Sequence, residues 1–234
     1  MLVLIAPTKT QKEVHTDKKL SEPLFISHTG KIINHIQTFD YETLKRNMKV
    51  SDKIATEVHR NYQSISHSNP AVLTYQGSSF KQMNPELWDA HYVQDHLVIL
   101  SALYGMLRPY DAIAFYRLDF LMKIDFDLYA YWQDTITKAL NDRGKPILNL
   151  ASLEYARMID KDQLSVPFYT LDFKEIIDNK PVSKSTYAKI ARGKMVDYIL
   201  NHKVNTLDTL KTIVIDEYRY DEKLSSSTTL IFSR

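Results

Sequence analysis

The sequence predicts an α/β (α+β) fold: one domain over residues 1–234, with a mixed central sheet, flanking helices and a helical insertion near residues 27–63. Three observations carry that prediction. Short, continuous apolar runs at residues 2–5 and 146–150 fit strands buried on both faces. Amphipathic stretches with helical spacing lie between such runs. The composition, 44% hydrophobic and 25% charged, is that of a globular chain long enough to bury a sizeable core.

Taken in order, residues 2–5 form a strand that ends at Pro7, so Lys9 and Thr10 sit beyond its carboxyl end, where ligands bind in α/β sheets. Within residues 27–63, Ile32, Ile33, Ile36 and Phe39 recur at helical spacing, and Tyr41, Leu44 and Met48 continue the pattern. After a break near Lys49-Val50-Ser51, Ser51 or Asp52 caps a further helix over residues 53–62. Two short helices around a tight turn suggest a helix–hairpin–helix, though the turn carries no glycine; the other reading is a helical pair packed on the sheet. Residues 71–75 read as a strand, and residues 85–94 as a helix opened by Asn84-Pro85. The stretch 97–107 is apolar all round, and periodicity leaves it as a buried strand or a buried helix until Arg108-Pro109 ends it. Residues 128–140 place Tyr129, Trp132, Ile136 and Leu140 on one helical face. Residues 166–173 read as a strand that continues through Ile176-Ile177 after a bend. A turn at Asp178-Asn179-Lys180-Pro181 then leads to a long helix over residues 185–202. Gly193 inside that helix costs roughly 1 kcal/mol against Ala, which points to a close approach by another element. Residues 213–218 and 228–232 complete the strands.

Composition excludes several classes. With no cysteine there is no disulfide framework, zinc-thiolate site or iron–sulfur cluster. The histidines form no metal-ligand pair with a neighbouring carboxylate, and neither a dinucleotide fingerprint nor a nucleophile elbow is present. No metal and no cofactor is expected. Without a signal-like segment or an apolar run of about 18 residues, the chain reads as cytoplasmic, with no membrane partner. A net charge of +2 does not by itself imply nucleic acid. Residues 178–203 do concentrate charge: six Lys/Arg less two Asp gives +4.

The chemistry-bearing residues fall near element ends. Arg108, Tyr116 and Arg117 follow the central apolar stretch, with Asp111 offering Arg108 a structural partner. Lys9, Glu154, Tyr187, Lys189, Arg192 and Ser226 complete the set. Such a mixture recognises phosphate or carboxylate and stacks on rings. Lys9, Glu154 and Tyr187 are equally candidates for acid–base catalysis, since burial tunes them. Spacing alone leaves binding and catalysis both open.

Six segments, in order along the chain, carry a resemblance: Ala6-Pro7-Thr8-Lys9-Thr10, residues 100–109 (LSALYGMLRP) with 115–120 (FYRLDF), Leu128-Tyr129-Ala130-Tyr131-Trp132, residues 149–155 (NLASLEY), residues 187–193 (YAKIARG) and Ser225-Ser226-Ser227. Together they resemble the signature of the YaaA family of peroxide stress proteins. The resemblance implies a role in surviving peroxide, by limiting free iron and so suppressing radical damage to DNA. It also implies double-stranded DNA binding through a basic cleft and a helix–hairpin–helix unit. On that expectation Lys9, Thr10, Arg108, Tyr116, Arg117, Lys189, Arg192 and Ser226 contact nucleic acid or phosphate. The alternative is an enzyme acting on a nucleotide or modified nucleobase in the same cleft. The resemblance leaves the oligomeric state open.

Overall fold

The computed structural model describes all residues, 1–234. In chain order its elements are β1 (Leu2–Ile5), α1 (Ile26–Gln37), α2 (Tyr41–Met48), α3 (Asp52–Gln63), β2 (Asn69–Pro70), α4 (Ala71–Thr74) and α5 (Ala90–His96). Then come β3 (Leu97–Ser101), β4 (Gly105–Leu107), β5 (Ala112–Ile113), α6 (Leu128–Asp142), β6 (Ile147–Asn149), α7 (Leu153–Ala156), β7 (Phe168–Ile177) and β8 (Lys180–Val182). The chain closes with α8 (Ser185–Asn201), α9 (Leu207–Lys211), β9 (Arg219–Tyr220) and β10 (Thr229–Ser233).

The main sheet runs β4-β3-β1-β6-β7-β10-β9, with β8 paired to β7. Its five central strands, β3, β1, β6, β7 and β10, are mutually parallel, while β4, β8 and β9 add antiparallel pairs. Numbered by chain order among the parallel strands alone, the spatial order is 2-1-3-4-5. The chain therefore leaves β1 to one side for β3 and to the other side for β6. Such a reversal leaves a crevice beyond the carboxyl ends of the two diverging strands. Every residue of β1, β3 and β6 is buried, which explains their unbroken apolar runs.

The central apolar stretch is a strand and hairpin, not a helix. Gly105, at φ +70, turns the chain from β3 into β4, and a Cβ there would lie 2.7 Å from the Trp132 ring. Trp132 is fully buried on α6 and donates its indole N–H to the Ala102 carbonyl at 2.8 Å. The helical insertion packs inward through Ile32, Ile36, Leu44, Val58 and Tyr62, all buried. Its α2–α3 turn places Lys49 in the left-handed region (φ 51) where a glycine is usual, and Lys45 closes the hairpin on Asp52 at 2.6 Å. The Tyr62 hydroxyl donates to the Arg117 carbonyl at 3.2 Å, tying the insertion to the 115–120 segment.

Four sequence expectations give way to tertiary contacts. Residues 71–74 are helical, because the amides of Ala71 and Val72 bond to the Asp111 and Pro109 carbonyls instead of a sheet neighbour. Helix α5 starts at Ala90, not at residue 85. Asp89 caps it by accepting the His91 and Tyr92 amides, while Asp197 holds the preceding segment by accepting from the Asn84 amide and the Trp88 indole. β7 continues to Ile177 and turns back into β8 through Asp178 and Asn179, both at positive φ, a two-residue hairpin of the kind that matches strand twist. Residues 213–218 do not form a strand: Asp216 and Glu217 lie at φ 48 and 70, and the edge strand begins only at Arg219.

Candidate functional site

A cleft of about 370 Å³ opens at the switch point between β1 and β6. The β1 end contributes residues 5–9 and Gln11, and the β6 end contributes Leu150, Ser152, Glu154 and Tyr155. Residues 77–79, Tyr116-Arg117-Leu118, and Lys189 with Arg192 on α8 close the remaining sides. Its volume lies within the range of small-molecule sites.

The walls are locked together by two glycines. The Gly77 amide donates to Thr8 Oγ1 at 3.1 Å, and a Cβ at Gly77 would lie 2.3 Å from the Thr8 methyl. On the other flank, a Cβ at Gly193 would lie 2.1 Å from the Ser79 carbonyl oxygen, so the close approach expected from the sequence is present. Ser79 Oγ also donates to the Lys189 carbonyl at 2.8 Å. Residues 77–79 are thus a short strap clamped between the end of β1 and α8.

At one end of the cleft Lys9 pairs with Asp119 at 2.6 Å; the carboxylate is buried, while the lysine is 56% exposed. Asp119 also accepts the Leu121 amide at 2.9 Å. Glu154 stands beside this pair with a buried carboxylate oxygen that meets no hydrogen-bond partner. Burial pushes its pKa up and the Asp119 charge adds to that, against the opposing pull of the Phe120 amide and Lys9. A carboxyl group raised in this way is suited to proton transfer. Phe120 stacks on Tyr129 at 4.3 Å and meets Tyr155 edge-on at 5.4 Å, giving the acid an aromatic surround.

At the back wall, Ser101 Oγ accepts the Leu103 and Tyr104 amides, which directs its own proton to the Tyr116 hydroxyl 2.8 Å away. Tyr116 in turn lies 2.7 Å from the Tyr75 hydroxyl, and its pKa is pushed up to about 12, chiefly by burial. Tyr116 is therefore a neutral member of a buried hydroxyl chain, with its ring rather than its charge at the cleft.

On the α8 side, Arg192 pairs with Asp172 at 2.9 Å, and its Nε is buried without a partner. Burial opposes ionisation of Asp172, but Lys174 at 3.0 Å and Arg192 outweigh it and hold the carboxyl below its ordinary range. Arg117 and Lys189 have no acidic partner within ion-pair distance. The lining thus carries four cations and one carboxylate, with two of the cations unneutralised.

Of the sequence candidates, the fold brings Lys9, Tyr116, Arg117, Glu154, Lys189 and Arg192 around this one cleft and leaves four outside it. Arg108 is a correction. It lies outside the cleft: its guanidinium sits 2.9 Å from the fully buried Asp111, three residues away, and donates to the Glu22 carbonyl at 2.8 Å. The Thr10 carbonyl staples the β1 loop by accepting from the Gln76 amide and the Thr8 hydroxyl, while its exposed side chain does not line the cleft. Tyr187 is exposed, its ring 5.4 Å from the Arg234 guanidinium. Ser226 Oγ caps a turn by accepting the Thr228 and Thr229 amides. Asp119, Asp172 and Tyr75 were not singled out by sequence reasoning. Asp119 lies inside the FYRLDF segment, but its partner Lys9 is distant in sequence.

Residues 1–224 match the family described as "Peroxide stress protein YaaA". The chain belongs to this family. A UPF0246 protein of Francisella philomiragia is 34% identical over 254 residues, covering 100% of both chains. One from Lachnoclostridium phytofermentans is 35% identical over 247 residues, covering 99% of this chain and 96% of its own. A third, from Francisella tularensis subsp. novicida, is 34% identical over 257 residues and 100% of both chains. Within this YaaA-family chain no helix is long and apolar enough to cross a membrane. Nor do three or more of its His, Asp and Glu side chains converge as a metal-holding group.

Proposed function

We propose that this peroxide-stress protein binds a single nucleotide unit in the switch-point cleft and acts on it by acid–base chemistry. The observation that carries the reading is the placement of Glu154, raised in pKa and orphaned, beside the Lys9–Asp119 pair in a cleft whose other walls carry unpaired Arg117 and Lys189. Arg117 and Lys189 supply donors for a phosphate, Arg as a fork and Lys as a point charge. The Tyr116 and Tyr155 rings offer apolar surface to a base. Glu154 is the proton donor or acceptor, and Lys9, anchored on Asp119, stabilises charge that develops next to it. A cleft of about 370 Å³ suits one nucleotide far better than a duplex.

A second reading is double-stranded DNA binding, in which the free cations of the cleft and Arg46, Lys49 and Lys53 around the α2–α3 hairpin contact phosphates. The hairpin geometry, with Lys49 in the left-handed position, favours it. Either activity would serve the family's peroxide-stress role by keeping DNA or its precursors free of iron-dependent oxidative damage.

Calorimetric titration with deoxynucleoside monophosphates, beside anisotropy titrations of duplex DNA at several salt concentrations, tests both readings. The nucleotide reading expects saturable mononucleotide binding that Arg117→Ala weakens about tenfold, and turnover that Glu154→Gln abolishes while binding survives. Absence of mononucleotide binding, with duplex binding whose salt slope is near −0.9 per phosphate over several phosphates, would replace it with the second reading.

A further inference from the structure

We propose that a second groove, behind the wall of the cleft, binds a small amphipathic anion: an apolar ring or short chain carrying one carboxylate or phosphate. The groove encloses about 430 Å³. Its floor is formed by Val72, Tyr75, Phe80 and Met83, none more than 9% exposed, with no charged group among them. Tyr75 and Phe80 meet at 5.2 Å between ring centroids as a packed base under the groove, and the partly exposed Val14, Leu73 and Pro85 supply the accessible apolar surface for a flat or branched body.

The rim has the opposite character. Lys12, Lys18 and Lys81 stand around the groove with His15, against a single carboxylate, Glu86. Lys12 and Lys81 make no ion pair. Lys18 donates to the Tyr110 hydroxyl at 2.7 Å and lies 4.5 Å from the centre of that ring, so its ammonium is held in place with donors to spare. An apolar floor under an unneutralised cationic rim selects an anion with an apolar body over a neutral or cationic ligand, because only that ligand satisfies both surfaces.

The groove and the cleft are separate. The paired segments at Gln11 and Tyr75 form the partition: Gln11 lines the cleft, and Tyr75 borders the groove. The Tyr75 hydroxyl is buried against that of Tyr116, so the partition between groove and cleft is closed. The proposal therefore does not depend on what the cleft binds.

The probe is 1-anilinonaphthalene-8-sulfonate, an aromatic anion whose fluorescence rises on apolar surfaces, titrated into the full chain. Saturable binding at one site per chain is expected, and phenyl phosphate or phenylacetate should displace the probe, the stronger competitor naming the anionic group. Lys12→Glu with Lys81→Glu, both exposed and both able to retain the fold, should weaken binding about tenfold or more; Lys12→Ala with Lys81→Ala should weaken it less, in the same direction. Arg117→Ala, in the cleft, should leave it unchanged. Non-saturable binding, indifference to the double charge reversal, failure of both competitors, or an equal loss in Arg117→Ala would each overturn the assignment.

Discussion

Replacing Gly193 with Ala should loosen the seat of α8. The new Cβ would lie 2.1 Å from the Ser79 carbonyl oxygen and 2.8 Å from two further Ser79 backbone atoms. Even the tightest tolerated contact, 3.0 Å, requires the helix and the strap to part by 3.0 − 2.1 = 0.9 Å. The obstacle is backbone, so no side chain can rotate away. Overpacking of this kind costs about 1–3 kcal/mol. Loosening the Ser79–Lys189 hydrogen bond costs about 1 kcal/mol more, and the helix propensity of Ala returns about 1 kcal/mol. The net expectation is a loss of about 1–3 kcal/mol, read as a lower urea midpoint at unchanged slope. Gly30→Ala is the control: Gly30 lies within α1 with nothing inside 4 Å of its imagined Cβ, so the same exchange should stabilise by up to about 1 kcal/mol. If Gly193→Ala matched Gly30→Ala in sign, the clamp between α8 and the strap would be refuted.

Three further outcomes follow from the charged groups of the site and of the Arg108–Asp111 pair. Burial raises the folded-state pKa of Glu154 above its ordinary 4.5, so the native state holds that proton more tightly than the unfolded chain. Glu154 therefore withdraws stability as pH rises from 4.5 through its folded value; Glu154→Gln should raise the melting temperature near neutrality and change it little below that range, and equal shifts at both ends would contradict the sign. Asp111→Ala should cost about 3 kcal/mol in urea unfolding, since it strands the Arg108 guanidinium and amide and the Ser21 hydroxyl, all of which now bond to it; a loss under about 1 kcal/mol would mean water replaces the pair. Arg117→Ala, with no acid to lose, should stay within about 0.5 kcal/mol of the parent protein while losing phosphate affinity.

The parallel strands were legible because burial on both faces leaves an unbroken apolar run, as in Leu97–Ser101, and α6 because its apolar residues recur at helical spacing. The approach at Gly193 was legible from one misplaced glycine. Residues 71–74 misled because Val72 and Tyr75 are buried by the core rather than by a ladder, and an apolar pentapeptide looks the same in both cases. At Asp216 and Glu217 the chain takes left-handed turns with residues that carry no glycine signal. Arg108 and Arg117 look alike in sequence, both beside the apolar stretch, and only the position of Asp111 separates a structural pair from a free cation. Lys9 with Asp119, and Arg192 with Asp172, are pairs made by topology, which no local pattern announces.

The place of β1 at the centre of the sheet has a consequence for synthesis. Its four residues are made well before the strands that flank them, which begin at Leu97 and Ile147. At about 5–20 residues per second, the interval before the first partner exists is roughly 5–20 seconds, and the second arrives several seconds later. Throughout that time Leu2, Val3, Leu4 and Ile5 are an apolar segment without the neighbours it pairs with in the fold. The α1–α3 and α2–α3 contacts of the helical insertion can form first, whereas the crevice at the β1–β6 junction cannot exist until Ile147–Asn149 have been made. Of the strands that meet at the centre of the sheet, the one made earliest is therefore the one that waits longest for both of its neighbours.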